Sequence, residues 1–149
     1  MNMVKRTWAE ISLNAIEHNY NVIRNKVADD TKVCCVIKAD GYGHGAVELS
    51  QVYEKLGADF FAVSNIDEGI EIRKSGSNLP IVILGYTPVS EAENLAEYDI
   101  SQAVFSLEYA KELSEKCVEE DCICKMHIKV DSGMSRIGFM CQEFPRDEY

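Results

Sequence analysis

Proline is scarce in this chain of 149 residues, with three in all, and tryptophan occurs once. With hydrophobic residues at 46%, that composition excludes a disordered or low-complexity polypeptide. Long apolar runs are also missing. The longest are a few residues, too short to cross a bilayer, and the beginning lacks a signal-peptide pattern. No membrane partner and a cytoplasmic location are therefore expected. Positive charge is in deficit: 15 Lys and Arg stand against 25 Asp and Glu, for a net charge of −10. No basic stripe survives on any predicted helix, which argues against nucleic-acid binding. Gly/Ser-rich linkers and internal repeats are absent, and so are the paired C-x-x-C knuckles of a zinc ribbon. Of the six cysteines, Cys34 and Cys35 are adjacent on a strand and point to opposite faces, while Cys122-Ile123-Cys124 is a C-x-C at a strand start. Reduced structural cysteines are the reading favoured over disulfides or a metal site, and no metal is expected. His18, His44 and His127 do not cluster by spacing.

What is present is a regular alternation of two periodicities. Short runs rich in β-branched residues predict strands at about 32–38, 59–64, 80–84, 100–105 and 123–130. Between them, helical spacing predicts helices near 13–27, 45–56, 66–75, 90–97 and 107–120. The first carries Leu13, Ile16, Tyr20, Ile23 and Val27 on one face, with Ser12 as N-cap. The last carries Leu107, Ala110, Leu113 and Cys117. Both read as ordinary core faces. The helix around 67–73 begins acidic and ends basic, which complements its dipole. Gly57 reads as the residue that closes the second helix. The alternation is that of an α/β protein with a parallel sheet.

One segment carries chemistry. The strand 32–37, expected to be buried on both faces, ends in Lys38, and three glycines follow within the next seven residues at 41, 43 and 45. The segment is thus a strand-to-helix turn at the carboxyl end of a strand, where α/β folds bind ligands. Glycines there let backbone approach an object closely. A lysine at such a place suits an amine that reacts with a cofactor aldehyde, since a free amine is largely protonated at neutral pH. The plainer alternative for Lys38 is a structural or phosphate-binding lysine. His44 lies inside the segment, where it either shapes the turn or serves as an ordinary hydrogen-bonded histidine. A strand ending in Lys129-Val130-Asp131 has its own plain reading as an exposed salt-bridge site.

Lys38-Ala39-Asp40-Gly41-Tyr42-Gly43-His44-Gly45 resembles the pyridoxal-phosphate signature of alanine racemases, which are fold-type III pyridoxal-phosphate enzymes. About ninety residues later, Lys129-Val130-Asp131-Ser132-Gly133-Met134-Ser135-Arg136-Ile137-Gly138-Phe139 resembles that family's other characteristic loop. The stretch from Arg6 to Tyr20 is similar to its entry strand and first helix. The resemblance implies that Lys38 joins pyridoxal 5′-phosphate as an imine and later acts as one of two acid–base groups. It implies that Tyr42 donates to the cofactor phosphate and that Leu84 packs near the ring. Arg136 would face the cofactor's phenolic oxygen and the substrate carboxylate, a task suited to a planar, permanently charged fork. Lys129 matches a position that is carbamylated in some members. The activity implied is interconversion of L- and D-alanine by two bases, with D-alanine supplied to peptidoglycan. The alternatives are a serine racemase of the glycopeptide-resistance type and a non-catalytic cofactor-binding fragment.

Length limits how much of this the chain can carry. The resemblance implies a (β/α)8 barrel of the TIM type followed by a β domain, and a barrel alone takes ~250 residues. Residues 1–149 are expected to be the N-terminal part of the barrel, with about five βα units. The second base, by resemblance a tyrosine from the partner of a homodimer, is expected to lie outside them. On this reading the isolated piece is inactive and exposes sheet edges, so it should oligomerise or dissolve poorly. Monomeric, monodisperse sedimentation at high concentration would count against that expectation.

Overall fold

The computed structural model describes residues 7–140; Arg6, where the resemblance begins, lies outside them. Five strands form one parallel sheet in the order β1-β2-β3-β4-β5. They are β1 (Cys34–Val36), β2 (Phe60–Val63), β3 (Ile81–Ile83), β4 (Ile100–Val104) and β5 (Met126–Ile128). Each strand pairs with the next one in sequence, and the order never reverses. Right-handed crossovers between successive parallel strands then place every helix on the same side of the sheet. A doubly wound sheet would need a reversal. The architecture is an incomplete TIM-type barrel, as expected.

The helices are α1 (Leu13–Arg24), α3 (Ala46–Lys55), α4 (Ile66–Lys74), α5 (Ala92–Glu97, after a 3-10 turn at Val89–Glu91) and α6 (Leu107–Glu119). Their boundaries follow from local chemistry. The Ala15 N–H donates to Ser12 Oγ, the Glu68 N–H to Asn65 Oδ1, and the Tyr109 N–H to Ser106 Oγ, so three side chains cap three helices. Gly57 closes α3 with φ +88°, as expected.

Register sets up two rows on two faces. Cys35, Phe61, Ile81 and Ile100 are partners across four strands, and Val36, Ala62, Val82 and Ser101 form the next row. The first row faces the helices and builds the core, together with Ile37, Val63, Ile83, Leu49, Ile72, Leu95 and Leu113. Truncating a fully buried member such as Ile83 to Ala costs about 2–5 kcal/mol. The second row is smaller and lies on the opposite, concave face.

Three expectations about burial need correction. In β1 only Cys35 is buried, and Val36 is 41% exposed, because β1 is a sheet edge and its concave side meets little. In α1 only Tyr20 is buried; Leu13 and Ile23 are exposed because the helix packs beside α3 rather than across the sheet, and the helix ends at Arg24, before the exposed Val27. In α6, Leu107 is exposed and Tyr109 takes the core position, stacked on Phe105 with ring centroids 4.7 Å apart. On the other edge, β5 leaves Met126 and Ile128 exposed.

At the amino ends of the strands, Arg73 ties two loops together. Its guanidinium donates to the carbonyls of Tyr98 (2.8 Å), Ser77 (2.8 Å), Leu79 (3.0 Å) and Asp99 (3.0 Å). A planar fork can serve four acceptors at once, and an ammonium cannot. Arg73→Ala is expected to lower stability by about 1–3 kcal/mol, with Arg73→Lys recovering less than half of the loss. Urea denaturation checks this, and equal stability of all three proteins would refute it.

Candidate active site

Alternation along a strand puts every second residue on one face. Positions 34 and 36 of β1, 60 and 62 of β2, and 82 of β3 share the concave face, and position 127 of β5 lies on it too. Beyond the strands' carboxyl ends, the same parity brings Lys38, two residues on, and Ser64, Leu84 and Lys129, one residue on, to that face. Together with Gly85, Arg136 and Ile137 they line a cavity of about 320 Å³. Lys38, Leu84, Lys129 and Arg136, singled out from the sequence, therefore meet in one place. Tyr42 does not line this cavity: it is 60% exposed, with its ring centroid 5.8 Å from Lys38 Nζ.

The backbone after Lys38 is unusual. The segment α2 (Lys38–Gly43) is one turn of left-handed helix, with φ of 50°, 52°, 60° and 56° at Ala39, Asp40, Gly41 and Tyr42. Three of these residues carry a Cβ, and each such placement costs on the order of 1–2 kcal/mol. Hydrogen bonds hold the turn. The Gly41 N–H donates to the Ile37 carbonyl (2.9 Å), and the Gly45 N–H to the Asp40 carbonyl (3.0 Å). The Ala46 N–H donates to Asp40 Oδ1 (2.8 Å), which caps α3. His44 Nδ1 lies 2.9 Å from the Gly41 carbonyl oxygen, so this histidine does shape the turn.

Glu68 is the residue the sequence reading missed. Its carboxylate accepts from the Ala39 N–H (2.9 Å), the Ser64 N–H (2.8 Å) and Ser64 Oγ (2.9 Å). It thereby staples the turn after Lys38 to the end of β2. The signal was legible: Asn65-x-x-Glu68 has capping-box spacing, although Glu68 reaches past the N-cap to its neighbours. Gly85 keeps β3 close to the same point, for a Cβ there would stand 2.5 Å from the Ser64 carbonyl oxygen.

The second loop is organised by Asp131. Val130–Asp131 (β6) pairs in parallel with Phe139–Met140 (β7), and a Cβ on Gly138 would stand 2.7 Å from the Asp131 nitrogen. The Asp131 carboxylate accepts from the N–H groups of Gly133 (2.9 Å), Ser135 (2.9 Å) and Arg136 (3.1 Å). Those backbone donors, Ser135 first, hold its carboxyl below the usual aspartate value. The plain salt-bridge reading of this strand end is corrected: Asp131 folds the loop that carries Arg136.

Lys129 Nζ donates to the Leu84 carbonyl at 2.9 Å. Burial lowers its amine below the ordinary 10.5, and the charges of Arg136 and Lys38 lower it further. Three cationic side chains thus surround a cavity whose lining includes no carboxylate. A larger cavity of about 450 Å³ lies beside α6, but no lysine or arginine lines it. An anion carrying an amine-reactive group suits the smaller one, which offers the amines of Lys38 and Lys129 and the guanidinium of Arg136.

The sequence profile described as "Alanine racemase, N-terminal domain" matches residues 11–147. Alanine racemase 1 of Clostridium acetobutylicum is 44% identical over 140 residues, 94% of this chain and 36% of that protein. The structure of alanine racemase from Clostridium difficile in complex with cycloserine superposes with a TM-score of 0.88 at 44% identity, covering 95% of this chain and 39% of that one. A histidine racemase from Leuconostoc mesenteroides superposes at 0.77 with 31% identity, over 85% of this chain and 34% of that one. The chain spans a little over a third of the length of the curated relatives it matches.

Two outcomes are expected. Glu68→Gln presents an amide N–H towards the backbone N–H donors of Ala39 and Ser64 and should cost about 1–3 kcal/mol in urea denaturation, against no change for Glu71→Gln on the exposed side of α4. Because Lys129 is held below 10.5, the unfolded chain binds more protons between the folded value and 10.5, so this group's contribution to stability rises with pH across that window. Lys129→Met should flatten that rise, and an unchanged slope would show the lysine to be unperturbed.

Proposed function

The chain belongs to the alanine racemase family, and from that membership we propose that it carries the lysine half of a pyridoxal 5′-phosphate-dependent site that interconverts L- and D-alanine. One observation carries the reading: in a chain of net charge −10, Lys38, Lys129 and Arg136 converge on one cavity lined, among the described residues, by no acid. Such a donor set fits a cofactor that presents a phosphate, a phenolic oxygen and an aldehyde. When bound, that cofactor supplies an electron sink for the pair left on the substrate's Cα.

The chain's own residues supply the rest. Lys38 Nζ would hold the cofactor and would take the Cα proton or return it. Its aim is set by the left-handed turn, fixed at Ala39 by Glu68. Arg136 presents a fork to the substrate carboxylate and the phenolic oxygen. On the family resemblance alone, Leu84 would pack near the ring and Tyr42 would serve the phosphate. The lowered amine of Lys129 suits reaction with carbon dioxide. Two protons pass to solvent as its nitrogen bonds to carbon, and a charge of +1 becomes −1 beside Arg136.

One base cannot invert a centre. A proton removed and returned on the same face regenerates the same enantiomer, so racemisation needs a second acid–base group opposite Lys38. We assign it to a tyrosine of a partner subunit in a homodimer of the whole protein, which would work in the cytoplasm and feed D-alanine to the cell wall. The histidine racemase match shows that this fold takes other side chains, so the choice of alanine rests on the identity to alanine racemases.

The purified chain incubated with pyridoxal 5′-phosphate and then borohydride is expected to carry a pyridoxyl mass increment on Lys38, mapped by peptide mass spectrometry. Lys38→Ala should abolish it, and Arg136→Gln should weaken cofactor uptake by about 10-fold or more. Chiral chromatography should find no D-alanine formed by the chain alone. Labelling spread over surface lysines with Lys38 unmodified would defeat the proposal.

A further inference from the structure

A second cluster of reactive side chains lies on the outer side of the sheet, remote from the cationic cavity. Helix α6 ends at Glu119, with Glu120 as its C-cap and Asp121 left-handed at φ 50°. The Cys122 N–H donates to the Cys117 carbonyl (3.0 Å) and the Asp121 N–H to the Val118 carbonyl (3.4 Å). That is the bond pattern of a Schellman motif, which ordinarily brings two apolar side chains together across its ends. Here both are cysteines. Two residues on, Cys124 shares the side of Cys122, because alternate positions of an extended segment face the same way.

The three Sγ atoms all lie within 4.8 Å of one another, and all three residues are half-buried. They line one wall of the 450 Å³ cavity beside α6. Metal–thiolate bonds of ~2.3 Å set sulfur–sulfur separations of about 3.8–4.0 Å, so small side-chain rotations suffice to close the set. A disulfide would use two of these thiols and leave the third idle. A metal ion uses all three.

We propose that Cys117, Cys122 and Cys124 bind one thiophilic d10 cation, Zn2+ or the heavier Cd2+, through three thiolates. All-sulfur donors select such ions over magnesium or calcium. Three S–H bonds break, three metal–sulfur bonds form, and three protons pass to solvent, with no change of oxidation state. Three protein ligands leave a fourth position for water. Thiols bind as thiolates, so metal uptake should strengthen as pH rises.

The test is titration of the purified chain with Cd2+ under a phosphine reductant, following the ultraviolet thiolate-to-metal absorption. One ion per chain is expected, with affinity lowered at least about 10-fold in Cys117→Ser and in Cys124→Ser and unchanged in Cys34→Ser. The unmutated chain gives an answer that does not depend on variants folding. Zn2+ should shield Cys117, Cys122 and Cys124 from iodoacetamide while leaving the labelling of Cys34 and Cys35 as it was. Absence of saturable uptake, uptake unaffected by Cys117→Ser, or equal labelling with and without Zn2+ would each overturn the proposal.

Discussion

Lys38, Ser64, Leu84 and Lys129 come from four different strand ends, yet they face one cavity because parallel strands in register impose a common parity on their side chains. A shift of one residue in any strand would turn its contribution toward the helices. The register is held by the apolar row on the other face, where Phe61, Ile81 and Ile100 are fully buried. The hydrophobic core thus fixes the polar site on the opposite side of the same strands.

Charge follows from the same geometry. The chain is acidic overall, but the carboxylates nearest the cavity are occupied by backbone. Asp40 accepts from Ala46, Glu68 from Ala39 and Ser64, and Asp131 from Gly133, Ser135 and Arg136. Each orders a loop and, among the described residues, none enters the lining where Lys38, Lys129 and Arg136 meet, although the Asp131 charge still reaches Lys129. The lowered amine of Lys129 reflects its burial first and then the charges of Arg136 and Lys38. Acidic residues serve this basic site by shaping it rather than by neutralising it.

Strain is concentrated at the same place. Ala39, Asp40 and Tyr42 hold left-handed backbone directly after the lysine, and bonds from Glu68, Ile37 and Asp40 keep them there. Backbone held so far from its preferred region fixes the direction in which the lysine leaves the strand. Gln102 adds a further tie from the core, donating at 2.8 Å to the carbonyl of Gly85 beside Leu84.

Much of this was legible in the sequence. Five strands, five helices, the Ser12 cap and the Gly57 stop all rest on short-range rules, while the grouping of Lys38 with Leu84, Lys129 and Arg136 came from the family resemblance. Strand parity, helical period and turn chemistry are properties of neighbouring residues, and a strand end followed by glycines announces itself. The rest depended on residues far apart in the chain. Glu68 reaches Ala39 across 29 positions, and spacing alone gave no measure of that contact. The exposure of Leu13, Leu107 and Val36 depends on which elements happen to lie opposite them. Cys122 and Cys124 looked like a bare C-x-C until the end of α6 brought Cys117 beside them. The sequence by itself determined which residues share a face and an end of the sheet, because backbone geometry repeats every two or 3.6 residues. Only the tertiary structure decided which backbone groups the acids hold and which thiols meet, because those choices depend on distances between separate elements.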